Sequence, residues 1–148
     1  MEIRIKPFSE LSAKTLYDVL ALRTEIFVVE QKCAYQEVDH HDQQSIHVMG
    51  YKKEELVAYA RIVAPQEIYE EPSIGRVCVK LSSRNAQLGR QIFEAALKEA
   101  ESVYPETTLK IQAQVYLEDF YTSLEFKTIS QPYLDFGIWH VDMIKTHP

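Results

Sequence analysis

Residues Ile74 to Glu101 read IGRVCVKLSSRNAQLGRQIFEAALKEAE. Val77 and Val79 alternate with Arg76, Cys78 and Lys80, the period-two pattern of a short strand. A polar turn, Ser82-Ser83-Arg84-Asn85, follows. Leu88, Ile92, Phe93, Ala96, Leu97 and Ala100 then recur at spacings of three and four, which puts them on one face of a helix. The strand therefore empties into a helix N-terminus of small, polar and cationic residues. First-turn N–H groups have no intrahelical acceptor and the helix dipole adds partial positive charge, so this junction suits a phosphate. Arg84 and Arg90 add formal charge beside it, and Gly89 lets a bulky ligand come close to the backbone.

Outward from this unit the chain alternates strands and helices. Glu2 to Lys6 alternate polar and apolar residues, a half-buried first strand that Pro7 ends. Ser9 or Ser12 caps a helix through Leu16, Val19, Leu20, Leu22, Ile26 and Phe27, which breaks near the β-branched Val28-Val29. A long polar loop, Glu30 to Asp42, comes next, and loops of that length in small domains are often functional. Ser45–Lys52 and Leu56–Ala64 read as a hairpin turning at Lys53-Glu54-Glu55. After the Ile74 unit the helix stops near Tyr104-Pro105. Leu109 to Val115 alternate as a fifth strand, a short helix spans Leu117 to Leu124, and Phe126–Ser130 and Ile138–Lys145 are closing strands. The order β-α-β-β-β-α-β-α-β-β is that of a layered α/β domain with a mixed sheet of about seven strands.

Composition bounds the function. A chain of 148 residues, 46% hydrophobic, is one domain (1–148) with a substantial core. No run approaches the roughly 18 apolar residues of a membrane span, and MEIRIKPF lacks the apolar segment of a signal peptide. Cys33 and Cys78 form neither a disulfide framework nor a zinc pattern, so the expected setting is cytoplasmic. A formal charge of −6 argues against nucleic-acid binding and favours cationic partners. Asp39-His40-His41-Asp42 invites a metal reading, but ligands rarely converge from adjacent positions, and no metal is expected.

Arg84-Asn85-Ala86-Gln87-Leu88-Gly89 resembles the R-x-x-G-x-G/A motif of the GCN5-related N-acetyltransferase (GNAT) superfamily, with Gln87 in place of the first glycine. A side chain there is accommodated if its φ stays negative. Tyr121 to Phe126 resembles the family's terminal Y-x-x-x-G-F, with Glu125 in place of glycine. Arg23-x-x-x-Phe27-Val28-Val29-Glu30-Gln31-x-Cys33-x-Tyr35, Asp39-x-x-Asp42, His47, Ala58-Tyr59-Ala60-Arg61 and Ile74-Gly75-Arg76-Val77 resemble the ElaA-like branch. The element order is also that of the GNAT fold, in which the fourth and fifth strands diverge around the pantetheine of acetyl-CoA.

The resemblance implies direct acetyl transfer from acetyl-CoA to a primary amine, on a small molecule or a lysine-like acceptor. It implies cofactor contacts from Val77, Val79, Arg84, Asn85, Gln87, Leu88, Gly89, Arg90 and Gln114, with the Val79 N–H at the thioester oxygen. Tyr121 matches the family's tyrosine near the thioester sulfur, and a phenol is a competent donor to a thiolate. Glu30, His47 and Glu37 are candidate bases, with none standing out. Arg23, Phe27, Tyr35, Asp39, Asp42 and Arg61 are candidates for the acceptor pocket, the acidic pair attracting an amine or else holding the loop. The two missing glycines leave an alternative, a module that binds acyl-CoA or a partner without turnover. Closing strands of the family often pair across dimers, and Ile138–Val141 is the candidate segment here.

Overall fold

The strand expected at Leu56–Ala64 is the centre of the molecule. In the computed structural model, which describes residues 1–84 and 87–147, it runs Glu55–Val63 (β3) and is buried along nearly its whole length. Ala58, Ala60 and Ile62 join one hydrophobic cluster and Tyr59 the other, so both faces of the strand are covered. The remaining strands are β1 (Glu2–Pro7), β2 (Ile46–Lys52), β4 (Ser73–Val79), β5 (Leu109–Gln114), β6 (Lys127–Thr128), β7 (Tyr133–Asp135) and β8 (Ile138–Lys145). They form one sheet in the order β1-β2-β3-β4-β5-β8-β6, with β7 also paired to β8. Only β4 and β5 run parallel.

Helix α1 (Ala13–Thr24) starts at Ser12, whose Oγ accepts the Thr15 N–H at 3.0 Å. It does not break at Val28-Val29. Instead it widens into a π-helical turn over Glu25–Glu30, where Gln31 N–H donates to the Ile26 carbonyl and Cys33 N–H to that of Val28, both at 3.1 Å. Helix α2 (Leu88–Val103) buries the six apolar residues of its sequence pattern and ends before Tyr104-Pro105. With α3 (Glu118–Thr122) it covers one face of the sheet, while Val19, Leu22 and Ile26 cover the other against Met49, Tyr59 and Cys78.

The sheet has eight strands where the sequence pattern shows about seven; the further one, Tyr133-Leu134-Asp135, pairs with Ile138 to His140 across a turn at Phe136-Gly137, both at positive φ. Three residues are too few for alternation to reveal them. Strand β8 lies between β5 on one edge and β6 and β7 on the other; the β5 ladder ends at Gln114 with His140, so Ile138 and Trp139 pair with β7 alone. No helix among the described residues is long and apolar enough to cross a membrane.

Candidate active site

Strands β4 and β5 meet at one register pair, Ser73 with Lys110, and then part. The cause lies in β4. Its ladder pairs Arg61 with Gly75 but Tyr59 with Cys78, so β4 carries one residue more than β3 over this interval. The bulge centres on Arg76, which takes φ of 53°. Strand β5 stays with β8, and the divergence opens a cleft of about 700 Å³. The ends of α2 and α3 close one side and the π turn and its loop the other.

The backbone of β4 is partly free in this cleft. Lys80 N–H donates to the Val57 carbonyl at 2.7 Å, which makes Ala58–Val79 a non-hydrogen-bonded pair. The Val79 N–H and carbonyl therefore point away from β3, into the gap. The carbonyl is met by Arg84 Nε at 3.0 Å. The other end of that guanidinium forks onto Glu30, at 2.8 and 3.0 Å.

At the start of α2, Gln87 has φ 56° and ψ 27°. The condition of negative φ is not met: this residue takes the left-handed conformation that glycine adopts easily, and its exposed side chain does not cap the helix. Glu125 behaves the same way, at φ 72°. Both departures from the family's glycines thus keep the glycine backbone. A Cβ built on Gly89 would meet only Val79 Cγ2, at 3.8 Å, so nothing in the fold itself demands glycine there. Gly89 lines the cleft, and the space beside it is open to a ligand.

Phe27, Glu30, Tyr35, Val77, Val79, Arg84, Gln87, Leu88, Gly89, Arg90, Gln114 and Tyr121 all line the cleft. Asn85 lies outside the described residues. Tyr121 is 8% exposed and packs edge-on against Phe93, with centroids 5.0 Å apart. Burial, reinforced by nearby Tyr116, pushes its hydroxyl up to about 12, so it stays protonated through the neutral range.

Arg23, Asp39, Asp42, Arg61 and His47 do not line the cleft. They form a buried network behind the bulge. Asp42 Oδ1 accepts from Arg23 at 2.7 Å and from Arg61 at 2.9 Å, and Arg61 also holds Asp39 by two bonds of 2.8 Å. Glu37 accepts from Arg23 and Arg76, each at 2.7 Å, and from the Tyr35 hydroxyl. Burial alone raises the carboxyls of Asp39 and Asp42, but their arginine partners outweigh it and hold both below the usual range. His47 has both nitrogens engaged, with Tyr59 Oη at 2.7 Å and the Asp42 carbonyl at 2.9 Å, and burial lowers its pKa. Apart from Arg61 Nε, which has no partner among the described residues, these buried polar groups are paired, and they hold the loop against the sheet.

Phe136, Gln112, Asp135 and His140 line the cleft and went unread in the sequence. Tyr35 packs on Phe136 at the tip of the β7–β8 turn, with centroids 5.2 Å apart, and Cys33 Sγ lies 3.6 Å from the Phe136 carbonyl. The two loops bridge the mouth of the cleft. Gln112, Asp135 and His140 line the wall beneath them. Strand alternation does separate His140 from its core neighbours Val141 and Met143, but only the divergence of β4 from β5 makes that face a cleft.

Residues 12–147 match the family model for the acetyltransferase (GNAT) domain. The chain is 41% identical over 138 residues to the UPF0039 protein sll0451 of Synechocystis, covering 93% of this chain and 90% of that one. It is 38% identical over 139 residues to protein ElaA of Escherichia coli, covering 93% and 91%. The crystal structure of that ElaA superposes with a TM-score of 0.92 over 97% of this chain and 98% of the other. An acyl-CoA N-acyltransferase from Pseudomonas aeruginosa, 37% identical, superposes with a TM-score of 0.93 over 98% and 99%.

Proposed function

The chain belongs to the GNAT acetyltransferase family, and from that premise we propose that it moves an acetyl group from acetyl-CoA directly to a primary amine. The acceptor is a small molecule or a lysine-like side chain. One observation carries this reading. A parallel strand pair parts after a single contact and leaves the Val79 N–H unpaired beside an open cleft that ends at a helix N-terminus.

The residues fit the co-substrate. Arg84, Arg90 and the first turn of α2 suit a pyrophosphate, and the open space at Gly89 accommodates its approach. The exposed edges of β4 and β5 offer amide partners to a pantetheine. Acetyl-CoA supplies the activated thioester. The Val79 N–H polarises the carbonyl, and Tyr121 donates its proton to the departing sulfur. Net negative charge and the reduced thiols of Cys33 and Cys78 suit a cationic acceptor and a cytoplasmic setting.

Gln87 and Glu125 take the left-handed backbone open to glycine, which favours a working motif over a module without turnover. The test is calorimetric titration with acetyl-CoA followed by thiol release over an amine panel. Micromolar binding with amine-dependent thiol release is expected. Binding without release from any amine returns the non-catalytic reading, and absence of binding ends the proposal.

A further inference from the structure

We infer that His140 is the general base of this transfer, its bare Nε2 taking the proton that the acceptor nitrogen loses as the amide bond forms. The inference rests on the transferase reading above.

Val141 and Met143 of β8 face the core under α2, so His140 is turned to the opposite face, that of α1 and the bridging loops. It stands opposite Gln114, the last residue of β5, just before the chain turns into the helix that carries Tyr121. Its Nδ1 lies 2.7 Å from the carbonyl of Ile138. A carbonyl has no proton to give, so the shared hydrogen is on Nδ1, and the neutral ring presents Nε2 as an acceptor. Tyr133 stacks on the imidazole at 6.2 Å and 27°, which fixes the plane of the ring.

Nε2 has no hydrogen-bond partner among the described residues. It is not sealed either, since the one sealed side-chain nitrogen or oxygen without a partner among them is Arg61 Nε. The residue is 9% exposed, and it lines the cleft. A lone pair of fixed tautomer and fixed direction, opening onto the cleft, is what a base requires.

The other candidates each have at least one charged or hydrogen-bonded partner, whereas His140 Nε2 has none among the described residues. Glu30 is held by Arg84, Glu37 by two arginines and a tyrosine, and His47 at both nitrogens. Asp135 accepts from Gln112 at 3.0 Å, and Asp142 accepts from the Tyr133 hydroxyl.

In the step, the neutral amine nitrogen bonds to the thioester carbon and the carbon–sulfur bond breaks. The nitrogen's proton passes to His140 Nε2, and the sulfur takes the proton of Tyr121. The imidazolium then reprotonates Tyr121 through water. Amine and thioester become amide and thiol, with every proton returned.

Two measurements test the assignment. The first needs no acceptor: long-range ¹H–¹⁵N correlation on histidine-labelled protein, with His140→Asn to assign the signal. The expected neutral form carries its proton on Nδ1. A proton on Nε2 in the neutral ring overturns the proposal even if His140→Asn does not fold.

The second is thiol release from acetyl-CoA with phenylethylamine, spermidine and Nα-acetyl-lysine. Asparagine keeps a donor for the Ile138 carbonyl and removes Nε2. Expected are acetyl-CoA affinity within about twofold and kcat/KM lower by about 10²–10⁴-fold. The acid limb of the pH profile also disappears. The titratable groups around the ring are Tyr133 and Asp135 from β7 and its turn, Asp142 on the same face of β8, Tyr121 from α3, and Tyr35 with Arg76 across the cleft. Wild-type turnover and pH profile in His140→Asn overturn the base role alone. A wild-type protein that binds acetyl-CoA but acetylates none of the three amines overturns it together with the transferase reading.

Discussion

Arg84 grips both carboxylate oxygens of Glu30, at 2.8 and 3.0 Å, and so ties the segment between β4 and α2 to the end of the π turn. Each side chain is 35% exposed, so the pair contributes only about 0–1 kcal/mol to stability. Its weight falls on ligand binding, because a pyrophosphate competes with Glu30 for the same fork. Arg84→Ala is expected to weaken acetyl-CoA roughly 10–100-fold, the scale of a charged hydrogen-bonded contact. Glu30→Gln is expected to bind as tightly as wild type or several-fold tighter. Calorimetry on the two variants decides, and weaker binding by Glu30→Gln would show that the carboxylate assists the ligand.

Asp42 serves two buried arginines at once, and its side chain is 6% exposed. Removing one member of a buried ion network leaves charge uncompensated, so Asp42→Asn is expected to cost about 3–5 kcal/mol. Asp39 is 19% exposed and its replacement by Asn costs less. Urea unfolding of both variants measures the order, and equal losses would contradict it. Arg23→Lys is not expected to preserve stability, because an ammonium cannot span Glu37 and Asp42 as the guanidinium does.

Stability should fall with acid in two stages. His47 has a lowered pKa in the folded protein, so the unfolded chain takes up its proton first. The stability from neutral His47 is complete above the unfolded value of 6.5 and declines as the pH drops below it. Asp39 and Asp42 also have lowered folded values, so their contribution is complete above the unfolded 3.8 and is lost as the pH falls through their folded pKa values. Unfolding free energy measured from pH 8 to pH 3 should show both, and His47→Gln should remove the first. A wild-type curve flat from pH 7 to 5 would contradict the His47 assignment.

Gln87 and Glu125 both occupy left-handed backbone without being glycine. Relieving that strain gains about 1–2 kcal/mol and the extra freedom of the unfolded chain takes back about 0.4–1. Gln87→Gly and Glu125→Gly are each expected to stabilise by roughly 0.5–1 kcal/mol. Thermal unfolding measures it, as a rise of about 1–4 °C each. Destabilisation by either variant would mean that its side chain does more than occupy solvent.

Tyr121 has no hydrogen-bond partner for its hydroxyl among the described residues, while its ring packs in the core. Tyr121→Phe should therefore change stability by less than about 1 kcal/mol and leave acetyl-CoA affinity intact. Turnover should fall about 10²-fold or more. With the hydroxyl pushed up to about 12, wild-type turnover should show no loss from Tyr121 ionisation below about pH 10. Unchanged turnover in the phenylalanine variant would remove Tyr121 from the acid role.

The local pattern of this sequence determined most of the fold. The near-continuous apolar run at Leu56–Ala64 marks a strand covered on both faces, while the alternation at Leu109–Val115 and the helical stripe from Leu88 to Ala100 follow from side chains that must reach one face of their own element. The strand–turn–helix junction after Val79 was legible for the same reason, since its pattern is local. What only tertiary structure decided is which side chains face the cleft. Arg23 and Arg61 have the composition of a binding site, yet they are buried against Asp42 because loop and sheet close over them. His140 reads as an ordinary strand residue, yet a one-residue bulge at Arg76 on another strand opens the space in front of it. Alternation along a strand says which residues share a face, but whether that face is core, surface or cleft depends on what packs across from it, which is a property of distant segments.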